Sequence, residues 1–195
     1  MKRLILLGGA SGSGKSTTSK LLANELGSGW LQIDTIWVAA QEALADDIEK
    51  SHLLRVDRRV IEAKEPVSDL VEQEIAAGQF VCSLLPRVFW TELQRHDVLV
   101  ADGAWLQPGF VKTLKVDGTD IHGVFLHEPD QAEVRKALDG RRADQTWAHW
   151  REPVAAVKWT YGNWLAGEAR RLGLAVVAAR PRETLVRRVR AALCV

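Results

Sequence analysis

Arg3-Leu-Ile-Leu-Leu7 is followed closely by Gly9-Ala-Ser-Gly-Ser-Gly-Lys-Ser16 near the start of this 195-residue chain. The first stretch is a continuous aliphatic run, which is typical of a parallel β-strand buried on both faces. The second stretch matches G-x-x-x-x-G-K-[ST], a pattern that forms a phosphate-binding loop when it lies between a strand and a helix. Apolar residues at helical spacing within residues 15–26, with Gly27 just beyond, predict that helix. The order of these segments therefore predicts a strand, a phosphate loop and a helix.

The residue types within the loop suit the binding of a nucleoside triphosphate. Gly9, Gly12 and Gly14 permit backbone angles at which successive N–H groups converge on phosphate oxygens. Lys15 adds a positive charge, and the Ser16 hydroxyl is placed to bind the Mg²⁺ that bridges two phosphates. We expect the whole loop to contact the nucleotide: Gly9, Ala10, Ser11, Gly12, Ser13, Gly14, Lys15, Ser16 and Thr17.

Two other interpretations of the loop are weaker. A flexible Gly/Ser linker could contain Lys-Ser by chance, but such a linker need not lie between a strand and a helix, as this stretch is predicted to do. A dinucleotide-binding G-x-G-x-x-G loop would need a third glycine after Gly12 and Gly14, and Thr17 stands at that position.

Composition restricts the class of protein. Hydrophobic residues make up 47% of the chain, which is enough to bury one core, so we expect a single domain over residues 1–195. The 26 Lys and Arg residues nearly balance the 25 Asp and Glu residues, so the bulk charge gives no reason to expect nucleic acid or an anionic membrane as partner. No apolar stretch is long enough to cross a membrane. Two cysteines, Cys82 and Cys194, form no disulfide-like pattern, and a cytoplasmic location is expected.

Strand-like and helix-like segments alternate along the chain. Further strands are expected at 30–33, 98–101, 121–126 and 174–178, which predicts an α/β fold with a parallel sheet of about five strands between layers of helices. Residues 35–94 are mainly helical in pattern, with Pro66 as a helix start and Gly78 as a break.

Two carboxylates follow strands of the predicted sheet. Asp34 and Asp102 should therefore lie on the same rim as the phosphate loop. Asp102 follows four apolar residues, an arrangement suited to holding Mg²⁺ directly or through water, whereas Asp34 could orient or deprotonate a substrate hydroxyl. The alternative is structural, because Asp34 could cap a helix and Asp102 could belong to a turn.

The loop, the two aspartates and the stretch Val100-Ala-Asp-Gly-Ala-Trp-Leu-Gln-Pro-Gly109 together resemble the small-molecule kinases of the P-loop kinase superfamily. The resemblance covers most of the chain and includes the shikimate, gluconate and 2-phosphoglycerate kinase-like groups. It implies the three-layer P-loop NTPase fold, ATP and Mg²⁺ as cofactors, an acceptor-binding helical region at about 35–95 and a lid at about 135–155.

The resemblance also implies roles for arginines. Arg141 and Arg142 correspond to lid residues that close over the phosphates, and Arg180 would lie against the adenine ring. The lid pair would neutralise the charge that develops during transfer and exclude water from the site. The alternative is that the two arginines form a solvated basic helix end. Other arginines, including Arg87, could hold an acidic acceptor or could simply lie at the surface.

The predicted activity is transfer of the γ-phosphate of ATP to a hydroxyl group of a small molecule. Lys15, Asp34, Arg141 and Arg142 are the predicted catalytic residues, and Ser16 and Asp102 are the predicted metal ligands. The alternatives are a P-loop ATPase or a nucleotide-binding regulatory module without a small-molecule acceptor, and a related enzyme that phosphorylates an antibiotic or a nucleotide sugar. The acceptor is not identified by the sequence, and either a monomer or a homodimer is compatible with it.

Overall fold

A parallel sheet forms the centre of the structure, a computed structural model that describes residues 1–54, 66–140 and 151–194. Its five strands, in chain order, are β1 (Lys2–Gly8), β2 (Gly29–Gln32), β3 (Val98–Gly103), β4 (Thr119–His127) and β5 (Ala175–Ala178). They pair in the order β2-β3-β1-β4-β5, and every neighbouring pair is parallel. The predicted parallel α/β sheet is therefore confirmed.

Helices cover both faces of this sheet. In chain order they are α1 (Lys15–Leu26), α2 (Ile33–Ala43), α3 (Ile48–Leu54), α4 (Val67–Leu93), α5 (Pro108–Thr113), α6 (Gln131–Asp139), α7 (Arg151–Arg171), a 3₁₀ turn (Arg182–Thr184) and α8 (Leu185–Leu193). Among the described residues, no helix has both the length and the apolar character needed to cross a membrane.

The alternation of side chains along β1 separates the two layers of the core. Leu4 and Leu6 face the apolar surfaces of α4 and α7, whereas Ile5 and Leu7 face α1 and α8. All four side chains are fully buried, as the continuous aliphatic run predicts for a strand covered on both faces.

The strand order defines where a ligand can bind. From β1 the chain crosses over β3 to reach β2 at one edge of the sheet. From β3 it crosses over β1 in the opposite direction to reach β4. The carboxyl ends of the adjacent strands β1 and β3 therefore flank the point at which the winding direction reverses. In open α/β sheets this crevice is the usual ligand site.

Two local predictions were wrong. Ile33, predicted to end β2, begins α2 instead, so that Asp34 lies in the first turn of a helix. Gly78 does not break a helix, because α4 runs continuously through it from Val67 to Leu93. A Cβ atom at Gly78 would lie 2.4 Å from Gln107 Nε2. The glycine therefore allows α4 to approach Gln107 closely, and it does not mark the end of a helix. Pro66 does precede the first residue of α4, as predicted.

Candidate functional site

The phosphate loop connects β1 to α1 at the reversal point of the sheet. Gly12 and Gly14 have φ angles of 88° and 87°, a left-handed conformation that residues with a Cβ rarely adopt. Gly14 is the N-cap of α1, so the loop leads directly into the positive end of the helix dipole. Lys15, the first residue of α1, is only 3% exposed. The predicted loop therefore lies between the predicted strand and helix.

One hydroxyl of the loop is buried and unpaired. The Ser13 side chain is 2% exposed, and its Oγ has no hydrogen-bond partner among the described residues. A buried hydroxyl without a partner costs about 1–3 kcal/mol, so such atoms are commonly satisfied by a water or a ligand.

Asp102 is held by hydrogen bonds to both carboxylate oxygens. Oδ2 accepts from the Ser16 hydroxyl at 2.7 Å, and Oδ1 accepts from the Ser19 hydroxyl at 2.5 Å. The indole N–H of Trp30 also donates to Oδ1, at 2.9 Å. Asp102 is 1% exposed, and its register opposite Leu7 places it beside the end of β1. Its carboxylate is consequently fixed directly next to the first turn of α1.

This pair of residues fits a magnesium ion. Mg²⁺ prefers hard oxygen ligands and usually binds proteins through few side chains, completing its shell with phosphates and water. The Ser16 hydroxyl donates its proton to Asp102, which leaves its lone pairs for a cation. Among the described residues there is no cluster of three His, Cys, Asp or Glu side chains that would suit a metal held by the protein alone.

Asp34 lies at the same rim, in the helix that follows the neighbouring strand β2. Gln32 is paired with Asp102 in the sheet, and Asp34 follows in the first turn of α2. Its Oδ1 accepts a hydrogen bond from the backbone N–H of Ala104 at 3.2 Å. The carboxylate does not cap α2, whose N-cap is Gln32. The structure thus brings both predicted aspartates to the end of β3, on either side of Gly103.

A buried polar cluster supports the backbone that Asp34 contacts. The Tyr161 hydroxyl donates to the carbonyl of Ala104 at 3.2 Å, so the Ala104 residue is held through both its N–H and its C=O. Nearby, the ammonium of Lys158 on α7 forms a buried ion pair with Glu74 on α4. Burial raises the pKa of the Tyr161 phenol well above its ordinary value, and the charge of Glu74 acts in the same direction. The phenol therefore stays a neutral donor.

Two arginines after β5 meet a single buried glutamate. Arg180 Nε donates to Glu128 Oε2 at 2.9 Å, and its Nη2 contacts Glu133 on α6. Arg182 reaches the same Glu128 carboxylate at 3.7 Å and donates to the carbonyls of Gly12 and Ser13 in the phosphate loop. The predicted contact of Arg180 with adenine stays a prediction, and the Arg180 side chain is 44% exposed.

The predicted lid residues Arg141 and Arg142 lie outside the described residues and stay predictions. The helices that flank them are described: α6 and α7 are joined by an ion pair of 2.6 Å between Arg135 and Glu152. His127, at the end of β4, forms a hydrogen bond with Asn163 on α7 at 2.8 Å.

Sequence reasoning missed Trp30, Ser19 and Arg182. Ser19 has a usable signal, because a residue three positions after Ser16 lies on the same face of the helix. Trp30 and Arg182 have none, since each reaches its partner only through the arrangement of distant strands and loops.

Comparison with known proteins finds similar solved structures but no related sequence family. No protein-family model and no curated protein matches the sequence. Among solved structures, the protein TT1252 from Thermus thermophilus is similar at 20% identity over 99% of this chain and 96% of that one, with a TM-score of 0.51. A protein from Chloroflexus aurantiacus with a provisional kinase assignment is similar at 15% identity, over 98% of both chains, with a TM-score of 0.50.

The protein has the P-loop NTPase fold, with a five-stranded parallel sheet between layers of helices. The resemblance seen in the sequence is thereby confirmed at the level of the fold, which is what identities this low can show. A gluconokinase from Sinorhizobium meliloti also aligns, at 17% identity over 99% of this chain and 91% of that one, but its TM-score of 0.47 is too low to argue from.

Proposed function

We propose that the protein is an ATP- and Mg²⁺-dependent phosphotransferase that moves the γ-phosphate to a hydroxyl group of a small molecule. The observation that carries this proposal is the position of Asp34, which follows β2 and accepts a hydrogen bond from Ala104 just after β3, the strand that ends in Asp102 and lies next to β1. A nucleotide-binding module needs the loop and Asp102 alone. A carboxylate at the adjacent strand end has its clearest use where an acceptor hydroxyl must be positioned.

Binding of the triphosphate falls to the loop and the start of α1. The N–H groups of the loop and the ammonium of Lys15 neutralise the phosphate charge, and the end of α1 adds a partial positive charge. A phosphate oxygen or an ordered water would also give the buried Ser13 hydroxyl the partner that it lacks among the described residues.

Ser16 and Asp102 would hold the magnesium ion. When bound, Mg²⁺ would supply positive charge that stabilises the negative charge developing during phosphoryl transfer. The hydrogen bond from Ser16 to Asp102 sets the direction of the hydroxyl lone pairs before any ion arrives. Ser19 and Trp30 hold the other carboxylate oxygen and so keep Asp102 from rotating.

Asp34 would act on the acceptor. Among the described residues, its second carboxylate oxygen has no hydrogen-bond partner, while the first is anchored to Ala104. The free oxygen can accept the hydrogen bond of a substrate hydroxyl, orient it towards the γ-phosphate and take its proton as the new P–O bond forms and the bond to ADP breaks. Arg141 and Arg142 would close over the transferring group and exclude water.

The experiment that tests the proposal is transfer of labelled γ-phosphate from Mg·ATP across a panel of hydroxylated metabolites, phosphorylated acids, nucleotide sugars and antibiotics. Free phosphate is counted in the same samples. A labelled organic product supports the proposal and identifies the acceptor class. Free phosphate at a rate that no acceptor changes would instead support a P-loop ATPase or a nucleotide-controlled binding module.

A further inference from the structure

Arg182 contacts the phosphate loop from the opposite end of the chain. It begins the 3₁₀ turn after β5, and its Nη2 donates to the carbonyl of Gly12 at 2.6 Å, 170 residues away in sequence. Its Nη1 donates to the carbonyl of Ser13. The guanidinium lies so close to the loop that a Cβ atom at Gly14 would overlap Nη1, at 2.1 Å. A side chain at position 14 would have to displace this guanidinium, and the positive φ of Gly14 independently favours glycine.

The two carbonyl contacts determine where the next N–H groups point. In a planar trans peptide the C=O of one residue and the N–H of the next point in opposite directions. With the carbonyls of Gly12 and Ser13 turned towards Arg182, the N–H groups of Ser13 and Gly14 are turned away from it. The N–H of Ser13 closes a turn with the carbonyl of Ala10, at 3.2 Å. The N–H of Gly14, at the start of α1, is thus oriented by Arg182.

The guanidinium is itself held in place. Its side chain is 31% exposed, and the carboxylate of Glu128, whose side chain is 4% exposed, lies 3.7 Å away. Burial lowers the pKa of the Arg182 guanidinium from its ordinary value, and the neighbouring Arg180 acts in the same direction, while Glu128 opposes both. The planar fork of an arginine can donate to two adjacent carbonyls at once, whereas a lysine ammonium is a single point of charge.

We infer that Arg182 is a positioning residue for phosphate binding: its bidentate contact with the carbonyls of Gly12 and Ser13 presets the loop so that the Gly14 N–H faces the phosphate of a bound nucleotide. The inference rests on the proposed function in so far as it assumes a nucleotide in the loop. It adds a residue that does not touch the nucleotide, acts from behind the loop and lies far from the G-x-x-x-x-G-K-[ST] pattern.

The test compares Arg182→Ala, Arg182→Lys and a matched control, Arg190→Ala, which removes an exposed arginine of α8 that pairs with Glu25 at 3.3 Å. Affinity for Mg·ADP is measured by calorimetry, and amide hydrogen exchange of residues 9–16 is measured without nucleotide. Loss of a charge-assisted contact predicts about tenfold weaker binding or more for Arg182→Ala. Exchange should become faster in the loop of that variant alone, and Arg182→Lys should recover only part of the affinity.

Two outcomes separate failure of this inference from failure of the proposed function. If the Arg182→Ala variant and the wild-type protein both bind Mg·ADP, with affinities that agree within about twofold, the role of Arg182 is overturned and the proposed function stays intact. Wild-type protein that binds no Mg·ADP would overturn both. If Arg182→Ala does not fold, Arg182→Lys answers the question, because full wild-type affinity in that variant would contradict a bidentate contact.

Discussion

The hydroxyl of Ser16 donates a hydrogen bond to Oδ2 of Asp102 over 2.7 Å, which joins the first turn of α1 to the carboxyl end of β3. The two residues are 86 positions apart in the chain. Their contact sets both a hydroxyl and a carboxylate at the mouth of the phosphate loop before a ligand binds.

Ser16→Ala should remove the magnesium dependence of nucleotide binding. The variant keeps the loop amides and Lys15 but loses one of the two oxygen ligands, so its affinity for ATP in the presence of Mg²⁺ should fall about tenfold. In EDTA its affinity should equal that of wild type, as titration calorimetry can measure. Ser83→Ala, which removes an exposed hydroxyl of α4, is the control. A loss of the same size with and without Mg²⁺ would contradict the role of Ser16 as a metal ligand.

Gly78→Ala and Gly167→Ala should have opposite effects on stability, although both sites lie inside helices. Alanine is normally preferred to glycine there by about 1 kcal/mol. A Cβ at Gly167 would meet no atom of another part of the described chain within 4 Å, so that substitution should stabilise the protein. A Cβ at Gly78 would lie 2.4 Å from Gln107 Nε2 and 3.2 Å from the Tyr161 hydroxyl, and overpacking should cost about 1–3 kcal/mol. Urea unfolding measures both, and stabilisation by Gly78→Ala would contradict the packing described.

Lys158→Ala should destabilise the protein strongly. The substitution removes the ammonium that faces the Glu74 carboxylate, which is 1% exposed, and breaking a buried pair from one side costs about 3–5 kcal/mol. The double variant Lys158→Met, Glu74→Leu should lose less, because neither member of the pair is left as an uncompensated buried charge. Arg171→Ala, which breaks an exposed pair with Glu168, should leave the urea midpoint nearly unchanged. A double variant as unstable as the single one would show that the pair is not the source of the effect.

The two thiols should react at different rates. Burial raises the pKa of the Cys82 thiol to about 11, whereas Cys194 is exposed on the last turn of the chain. Because the thiolate is the reactive form, Ellman's reagent at pH 8 should titrate one thiol per folded chain and two in urea. Cys194→Ala should abolish the reaction of the folded protein, and Cys82→Ala should leave it unchanged. Rapid reaction of the folded Cys194→Ala variant would contradict the burial of Cys82.

The raised pKa of Cys82 also gives a pH dependence of stability. Between about pH 9 and pH 11 the thiol ionises in the unfolded chain but stays protonated in the folded one, so the free energy of unfolding falls as pH rises through this window. The contribution is fully present below the unfolded-state pKa. Comparison with Cys82→Ala, which lacks the thiol, isolates it from other groups that titrate there.

The parts of the site that could be predicted from sequence are those whose chemistry is written in consecutive residues. The phosphate loop is local, and the rim position of Asp102 follows from an apolar run that ends in a carboxylate. The residues that bind the Asp102 carboxylate could not be predicted in this way, because they are distant in the sequence. Trp30 lies on the edge strand and reaches Asp102 across 72 residues, a contact that exists only because β2 pairs with β3.

The same distinction explains the error at Gly78. Local propensity makes a glycine in a helical pattern look like a break. Tertiary packing decides otherwise here, since α4 needs a residue without a side chain where it passes Gln107 and Tyr161. Arg182 is a further case, because nothing within its own segment indicates that it contacts the carbonyls of Gly12 and Ser13.

The central claim, that Asp34 acts on an acceptor while the loop holds the nucleotide, is tested most directly by comparing Lys15→Ala with Asp34→Asn. Binding of a non-hydrolysable Mg·ATP analogue and transfer of labelled γ-phosphate to the acceptor found in the panel are measured for each. We predict that Lys15→Ala weakens binding by about tenfold or more, whereas Asp34→Asn binds the analogue as wild type does and transfers phosphate about 10²–10⁴-fold more slowly. Equal loss of binding in the two variants, or undiminished transfer by Asp34→Asn, would contradict the claim.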